Sequence, residues 1–126
     1  MQILTGTSGF SYKGWKGAFY PSDLPQKRWL AYYAERLTAV EINNTFYRLP
    51  KAEVLQGWAD QVPERFRFAI KASRRITHQG RLKDIDGPLA YLLRTVETLG
   101  EHRGPLLFQL PPYLRANRER LAGLLE

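Results

Sequence analysis

Glu41, Lys71 and His78 are the side chains of this sequence best suited to proton transfer. A lysine inside a barrel forms a Schiff base, or acts as a base where burial lowers its pKa. A nearby glutamate would relay its protons, or stabilise the ammonium and keep it unreactive. The competing reading of Glu41 and Lys71 is a buried ion pair that orients two strands. His78 follows Thr77 in a basic stretch, where an imidazole serves as a general acid or contacts a phosphate. Its plainer role is a hydrogen bond that anchors the loop. No metal site is expected within these residues. There is no cysteine, and no His-x-x-x-His or Glu-x-x-His spacing occurs. Walker motif, nucleophile elbow and catalytic triad are also absent, and no cofactor is expected.

The side chains that would hold a ligand follow apolar segments. In residues 40–43, Val40 and Ile42 alternate with Glu41 and Asn43, the pattern of a short strand. The strand runs into a loop carrying Asn43, Asn44, Thr45, Tyr47 and Arg48, before Pro50 restricts the backbone. Near the start, Phe10, Tyr12, Trp15, Phe19 and Tyr20 crowd a long loop. Phe10 and Phe19 are expected to plug the core. Tyr12 and Trp15 carry polar handles and are the ligand candidates.

Charge narrows the ligand. Of 19 basic residues, 7 lie between Arg65 and Lys83, where no acidic residue occurs; the other 12 balance the chain's 12 acidic residues. The whole net charge of +7 therefore sits in one stretch. Such a field draws anions: phosphates, carboxylates or a nucleic-acid backbone. Arg74, Arg75 and Arg81 are the candidate anion holders. The alternative is a solvated basic loop whose counter-charges arrive from elsewhere in the fold.

The elements that position these residues alternate. Strands are expected at 3–7, 40–43, 66–72 and 105–110, the last nearly all apolar and so buried on both faces. Helices are expected at about 25–37, 52–62 and 86–99, with Asp86 as a cap, and a last one begins after Asn117. Trp29, Leu30, Tyr33, Ala34 and Leu37 form one apolar stripe; Leu89, Leu92, Leu93, Val96 and Leu99 form another. Val54, Leu55, Trp58 and Ala59 point inward, as do Leu121, Leu124 and Leu125. His102 is expected to be exposed.

Four strand–helix units in 126 residues is about 31 residues each, and a (β/α)8 barrel has about 250 residues for eight. The fold class is therefore α/β, a TIM-barrel-type (β/α) fold with about half of its units present. A small doubly wound sheet is the alternative. In either fold, ligands bind at the carboxyl ends of the strands. That rule gathers Thr7, Ser8, Glu41, Asn43, Lys71 and Gln109 on one rim, with Tyr12, Trp15, Tyr47, Arg48, Thr77, His78 and Arg81 in its loops. Glu41 and Lys71 are expected to be near neighbours.

Several motifs resemble the YecE-like family, a domain-of-unknown-function family (72). They are Gly6-Thr-Ser-Gly-Phe-Ser-Tyr12, Trp15-x-Gly-x-Phe-Tyr-Pro21, Val40 to Pro50, Lys71, Thr77-His78 and Gln109-Leu-Pro-Pro112. The resemblance spans nearly the whole chain and implies a TIM barrel, with no established activity. Phe10 stands where tryptophan is common in the family. The chain matches only the family's N-terminal half, so the second half's strands and polar groups are missing from it.

Two functions from different classes follow. One is a TIM-barrel enzyme acting on a phosphorylated or other anionic small molecule. The other is a non-catalytic module binding nucleic acid or anions, with aromatics stacking bases. No apolar run is long enough for a membrane helix and no signal peptide opens the chain, so a cytoplasmic location is expected. Four strands leave two unpaired edges, which invites self-association. The last helix reaches Glu126 with its apolar pattern still running, which reads as a truncation.

Overall fold

Alternation along the central strands leaves one apolar face to be covered, and the helices that follow each strand cover it. The computed structural model describes residues 1–126. Its elements are β1 (Gly6–Ser8), α1 (Trp29–Arg36), β2 (Ala39–Ile42), α2 (Ala52–Ala59), β3 (Arg67–Lys71), α3 (Asp86–Val96), β4 (Arg103–Leu107) and α4 (Arg118–Leu125). The strands form one parallel sheet in the order β1-β2-β3-β4. Each strand lies beside its successor in the chain, as in the wall of a TIM barrel. A doubly wound sheet would reverse direction part-way, and this one does not. The architecture is a half TIM-barrel-like α/β fold.

Register decides which residues share a face. Val40 sits opposite Phe68 and Ile42 opposite Ile70. All four are buried, with Phe66 and Ala72, against Trp29, Leu30 and Tyr33 of α1, Leu55 of α2, and Leu92 and Val96 of α3. Each valine, leucine, isoleucine or phenylalanine among them contributes roughly 1.5–3 kcal/mol of hydrophobic burial. Tyr33 also fastens two strands. Its buried hydroxyl accepts the Thr7 N–H at 2.8 Å and donates to the Ala39 carbonyl at 3.0 Å. There β1 and β2 run so close that a methyl group at Gly6 would lie 1.9 Å from the Ala39 carbonyl oxygen. The aromatic loop closes over α1. Tyr20 is fully buried, stacks on Trp29 at 4.6 Å, and donates to the Phe10 carbonyl at 2.5 Å. Phe10 and Phe19 pack on the core, as expected.

Several boundaries and faces differ from the sequence expectations. β1 starts at Gly6, and Ile3 and Leu4 are exposed ahead of it. β4 begins earlier than expected and is not buried on both faces: its residues alternate between exposed and half-buried. It is the last strand of an open sheet, so nothing covers its inner face or outer edge. α3 tightens into a 3-10 turn from Glu97 that breaks at Gly100 (φ 52°), with a separate turn to His102, and Asp86 is its first residue, with no side-chain cap bond. Val54 and Leu93 point to solvent. His102 is half-buried, with Nδ1 3.0 Å from the Phe66 carbonyl oxygen. In α4, only Leu124 packs on the core, while Leu121 and Leu125 are exposed. Asn117 does cap that helix, accepting from the Arg120 N–H at 2.9 Å.

Two predictions follow from this packing. Burial first, and then neighbouring Tyr33, push the Tyr20 phenol well above its ordinary value of 10.0. Below that value both folded and unfolded states keep the proton, and stability does not depend on it. Above it the unfolded state ionises first, so stability falls as pH rises, by up to about 1.4 kcal/mol per unit. Urea melts from pH 8 to 11 should show this fall, and Tyr20→Phe should flatten it. The second concerns the open edges beside β1 and β4, with Ile3, Leu4, Leu107 and Leu110 exposed nearby. Two copies supply eight strands, the number in a closed barrel. Light scattering on the isolated chain should report a dimer or larger; a monodisperse 14.6 kDa monomer with a cooperative melt would refute it.

Candidate functional site

Successive residues of a strand point to opposite faces, and this sorts the candidates at the strand ends. Thr7 pairs with Val40 on the helix-covered side, whereas Ser8 pairs with Glu41 on the opposite face. The Thr7 hydroxyl is accordingly held inside the fold, 2.6 Å from the Gly9 carbonyl and 2.8 Å from the Tyr33 hydroxyl. Ser8 instead joins a polar cluster. Its hydroxyl donates to Glu41 Oε1 at 3.2 Å and accepts from Asn43 Nδ2, while the Tyr12 hydroxyl donates to its carbonyl. The Tyr12 ring leans on Trp15 at 4.9 Å. Phe10, Tyr12, Asn43 and Trp58 wall a cavity of about 280 Å³ beside this cluster.

Lys71 belongs to a second cluster. Glu41 sits opposite Ala69, two residues before Lys71, and no carboxylate lies within 4.0 Å of the Lys71 ammonium. The expected Glu41–Lys71 pairing is therefore not formed. The parallel register sets Lys71 a step further along the sheet. Its Nζ lies over the Phe46 ring, 5.0 Å from the centroid, a cation–π position. The His78 ring meets the same Phe46 edge-on at 5.0 Å. His78 Nδ1 is 2.8 Å from the Thr77 hydroxyl, and Thr77 is fully buried, so this threonine orients the imidazole from within the fold. Phe46 thus contacts both an amine and an imidazole.

The fold places Phe46 through its neighbour. Thr45 is fully buried, and its hydroxyl lies 2.8 Å from the Ile42 carbonyl and 2.7 Å from the Lys71 carbonyl. One side chain thereby ties the loop after β2 to the end of β3. After Ser73 the backbone makes a wide helical turn at Arg75–Gln79, closed by the Gly80 N–H on the Arg75 carbonyl at 2.8 Å.

A third feature is a groove of about 510 Å³ between the segments that follow β2 and β3. Tyr47, Arg48, Ser73, Arg75 and Tyr91 line it. The Arg74 guanidinium lies 5.8 Å over the Tyr47 ring. The remaining candidates stand apart. Arg81 is exposed beyond the turn with a left-handed backbone (φ 49°), and its carbonyl accepts from Arg120 at 3.3 Å. Gln109 is exposed beyond the end of β4. No three histidine, aspartate or glutamate side chains gather closely enough to hold a metal ion.

The chain matches the family described as "Protein of unknown function DUF72" over residues 4–126. It belongs to the DUF72 family. UPF0759 protein YecE of Escherichia coli strain K12 is 37% identical over 79 residues, 63% of this chain and 29% of that protein. UPF0759 protein YunF of Bacillus subtilis strain 168 is 27% identical over 128 residues, 97% of this chain and 44% of YunF. Among solved structures, a DUF72 family protein from Thermotoga maritima matches with TM-score 0.81 and 29% identity, covering 99% of this chain and 50% of that one. One from Enterococcus faecalis matches with TM-score 0.76 and 25% identity, over 98% and 45%. The chain thus spans half or less of each relative's length. No helix in it is long and apolar enough to cross a membrane.

Sequence reasoning misses Phe46 and Tyr91. Phe46 reads as one more apolar residue, and only the structure shows that its ring meets both Lys71 and His78. Tyr91 follows Ala90 on a helix whose apolar stripe draws attention elsewhere. Thr45→Val keeps the shape and removes the one hydroxyl proton that two carbonyls share. It should cost about 1–3 kcal/mol in urea melts and shift the His78 ring resonances, although residue 45 does not touch His78 in sequence. Unchanged stability and unchanged His78 resonances would show that the Phe46 position does not depend on Thr45.

Proposed function

We propose that this DUF72 chain forms the anion-holding part of a TIM-barrel ligand site whose substrate is a phosphorylated or carboxylated small molecule. One observation carries the reading. Arg48, Lys71, Arg74 and Arg75 collect at the ends of β2 and β3, and none has a carboxylate within 4.0 Å; the chain's one ion pair is Arg36–Glu35. Every cation of the chain except Arg36 lacks a carboxylate partner, so the reading rests on where these four lie: together at the strand ends, where a TIM barrel binds its ligand, they concentrate a positive field that draws an anion. Lys71 and His78, both in contact with Phe46, are the groups for proton transfer to that ligand, and Glu41 is held by Ser8 at the neighbouring strand end. This chain covers half or less of each relative, and under this reading the other half of a barrel would complete the rim.

The test is thermal melting with phosphate esters, dicarboxylates and their uncharged analogues. A ligand at 100 times its dissociation constant stabilises by about 2.7 kcal/mol, on the order of 10 °C for a chain of this size. Anions should raise the midpoint and neutral analogues should not. Lys71→Met should reduce the rise. Absence of a rise with every anion would overturn the proposal. A rise with oligonucleotides alone, lost steeply as salt increases, would replace it with nucleic-acid binding.

A further inference from the structure

We propose that the groove between the segments following β2 and β3 is a subsite for a phosphate monoester of a flat ring. Arg48 and Arg75 hold the phosphate, and Tyr47 and Tyr91 hold the ring. The inference rests on the anion-binding reading above and specifies its ligand. The groove's volume of about 510 Å³ is that of a small-molecule site. Its walls carry two guanidiniums and no carboxylate. A phosphate monoester bears between −1.5 and −2 charges near neutral pH, so two arginines match it in charge. Their planar forks also match its oxygens in geometry.

The rest of the lining explains why a bare anion is only part of the ligand. Tyr47 is 69% exposed and Tyr91 50%, a large aromatic surface to leave facing water on two segments that line one groove. Tyr47 is braced: Phe46 meets it edge-on at 5.1 Å, and the Arg74 guanidinium lies 5.8 Å over its ring. Buried Leu92 gives the groove an apolar floor beneath Tyr91. Ser73 adds a polar contact. Its hydroxyl oxygen accepts the Arg75 N–H at 3.2 Å, and its own proton has no acceptor in the protein. Two arginines, a serine donor and two exposed aromatics on one groove together select an ester whose phosphate and ring are held at once.

Isothermal titration of the full chain with phenyl phosphate, inorganic phosphate and phenol tests this. Phenyl phosphate should bind about tenfold tighter than inorganic phosphate, and phenol should not bind measurably. Binding should weaken below pH about 6, where the phosphate loses its second charge. The exposed pair Arg48→Gln and Arg75→Gln should weaken both phosphates about tenfold or more. Tyr91→Leu should remove the preference for phenyl phosphate and leave inorganic phosphate unchanged. Equal binding of the two phosphates, or a preference that survives Tyr91→Leu, would overturn the proposal. Phosphate binding that survives the double arginine change but is lost in Lys71→Met would overturn this subsite and leave the general anion reading standing. Binding of no anion at all would overturn both.

Discussion

The hydroxyl of Thr45 carries more of this structure than its size suggests. The end of β2 and the end of β3 each bring a carbonyl oxygen to one hydroxyl. Thr45, buried completely, reaches both within 2.8 Å. A buried acceptor without a donor costs about 1–3 kcal/mol, so the loop is held where it can supply one. The consequences run outward. Phe46 is fixed one residue on, and its ring takes the Lys71 ammonium and the edge of His78. Tyr47 and Arg48 are delivered to the groove in the next two positions. A backbone requirement at the strand ends thus arranges most of the side chains with chemical potential.

On the other side of the sheet the fold is held by different means. Tyr33 and Tyr20 are buried aromatics whose hydroxyls finish on backbone carbonyls, so the rings supply hydrophobic area and the tips satisfy the chain. The interior contains no charged residue among its buried positions, and its polar members are threonines. No buried side-chain polar atom is left without a partner. Stability is therefore a matter of apolar burial and backbone hydrogen bonds. The 65–83 stretch gives the core its apolar side chains and no cation, so no buried position needs a counter-charge for the basic residues that alternate with them.

Much of this was legible in the sequence, for reasons that differ by element. The period-two pattern at 66–72 located β3 because a strand covered on one side must alternate. Strand–helix repetition gave the parallel sheet, and the quoted motifs pointed to the family. Register was harder. Placing Glu41 beside Lys71 requires knowing which residues of β2 and β3 stand opposite, and the actual pairing with Ala69 follows from where each strand starts. β4 was misread because an apolar run looks the same whether its faces are covered or not. Coverage depends on neighbours that composition does not reveal. Thr7 and Ser8 looked equivalent as residue types. One position along a strand sends the first to Tyr33 and the second to Glu41.

That same one-residue rule separates support from chemistry throughout the site. Thr45 and Thr77 are polar, lie in the motifs, and are fully buried; each orients a neighbour. Phe46 and His78, the residues directly after them, are the ones partly open to a ligand. The arrangement explains why threonine recurs beside the candidate groups. Its methyl packs on the core while its hydroxyl reaches a carbonyl or an imidazole, so a single side chain serves the interior and the rim. A ligand entering at the strand ends would meet side chains whose positions are already set from below. Preorganisation of this kind is what a site needs if binding is not to be offset by ordering its own loops.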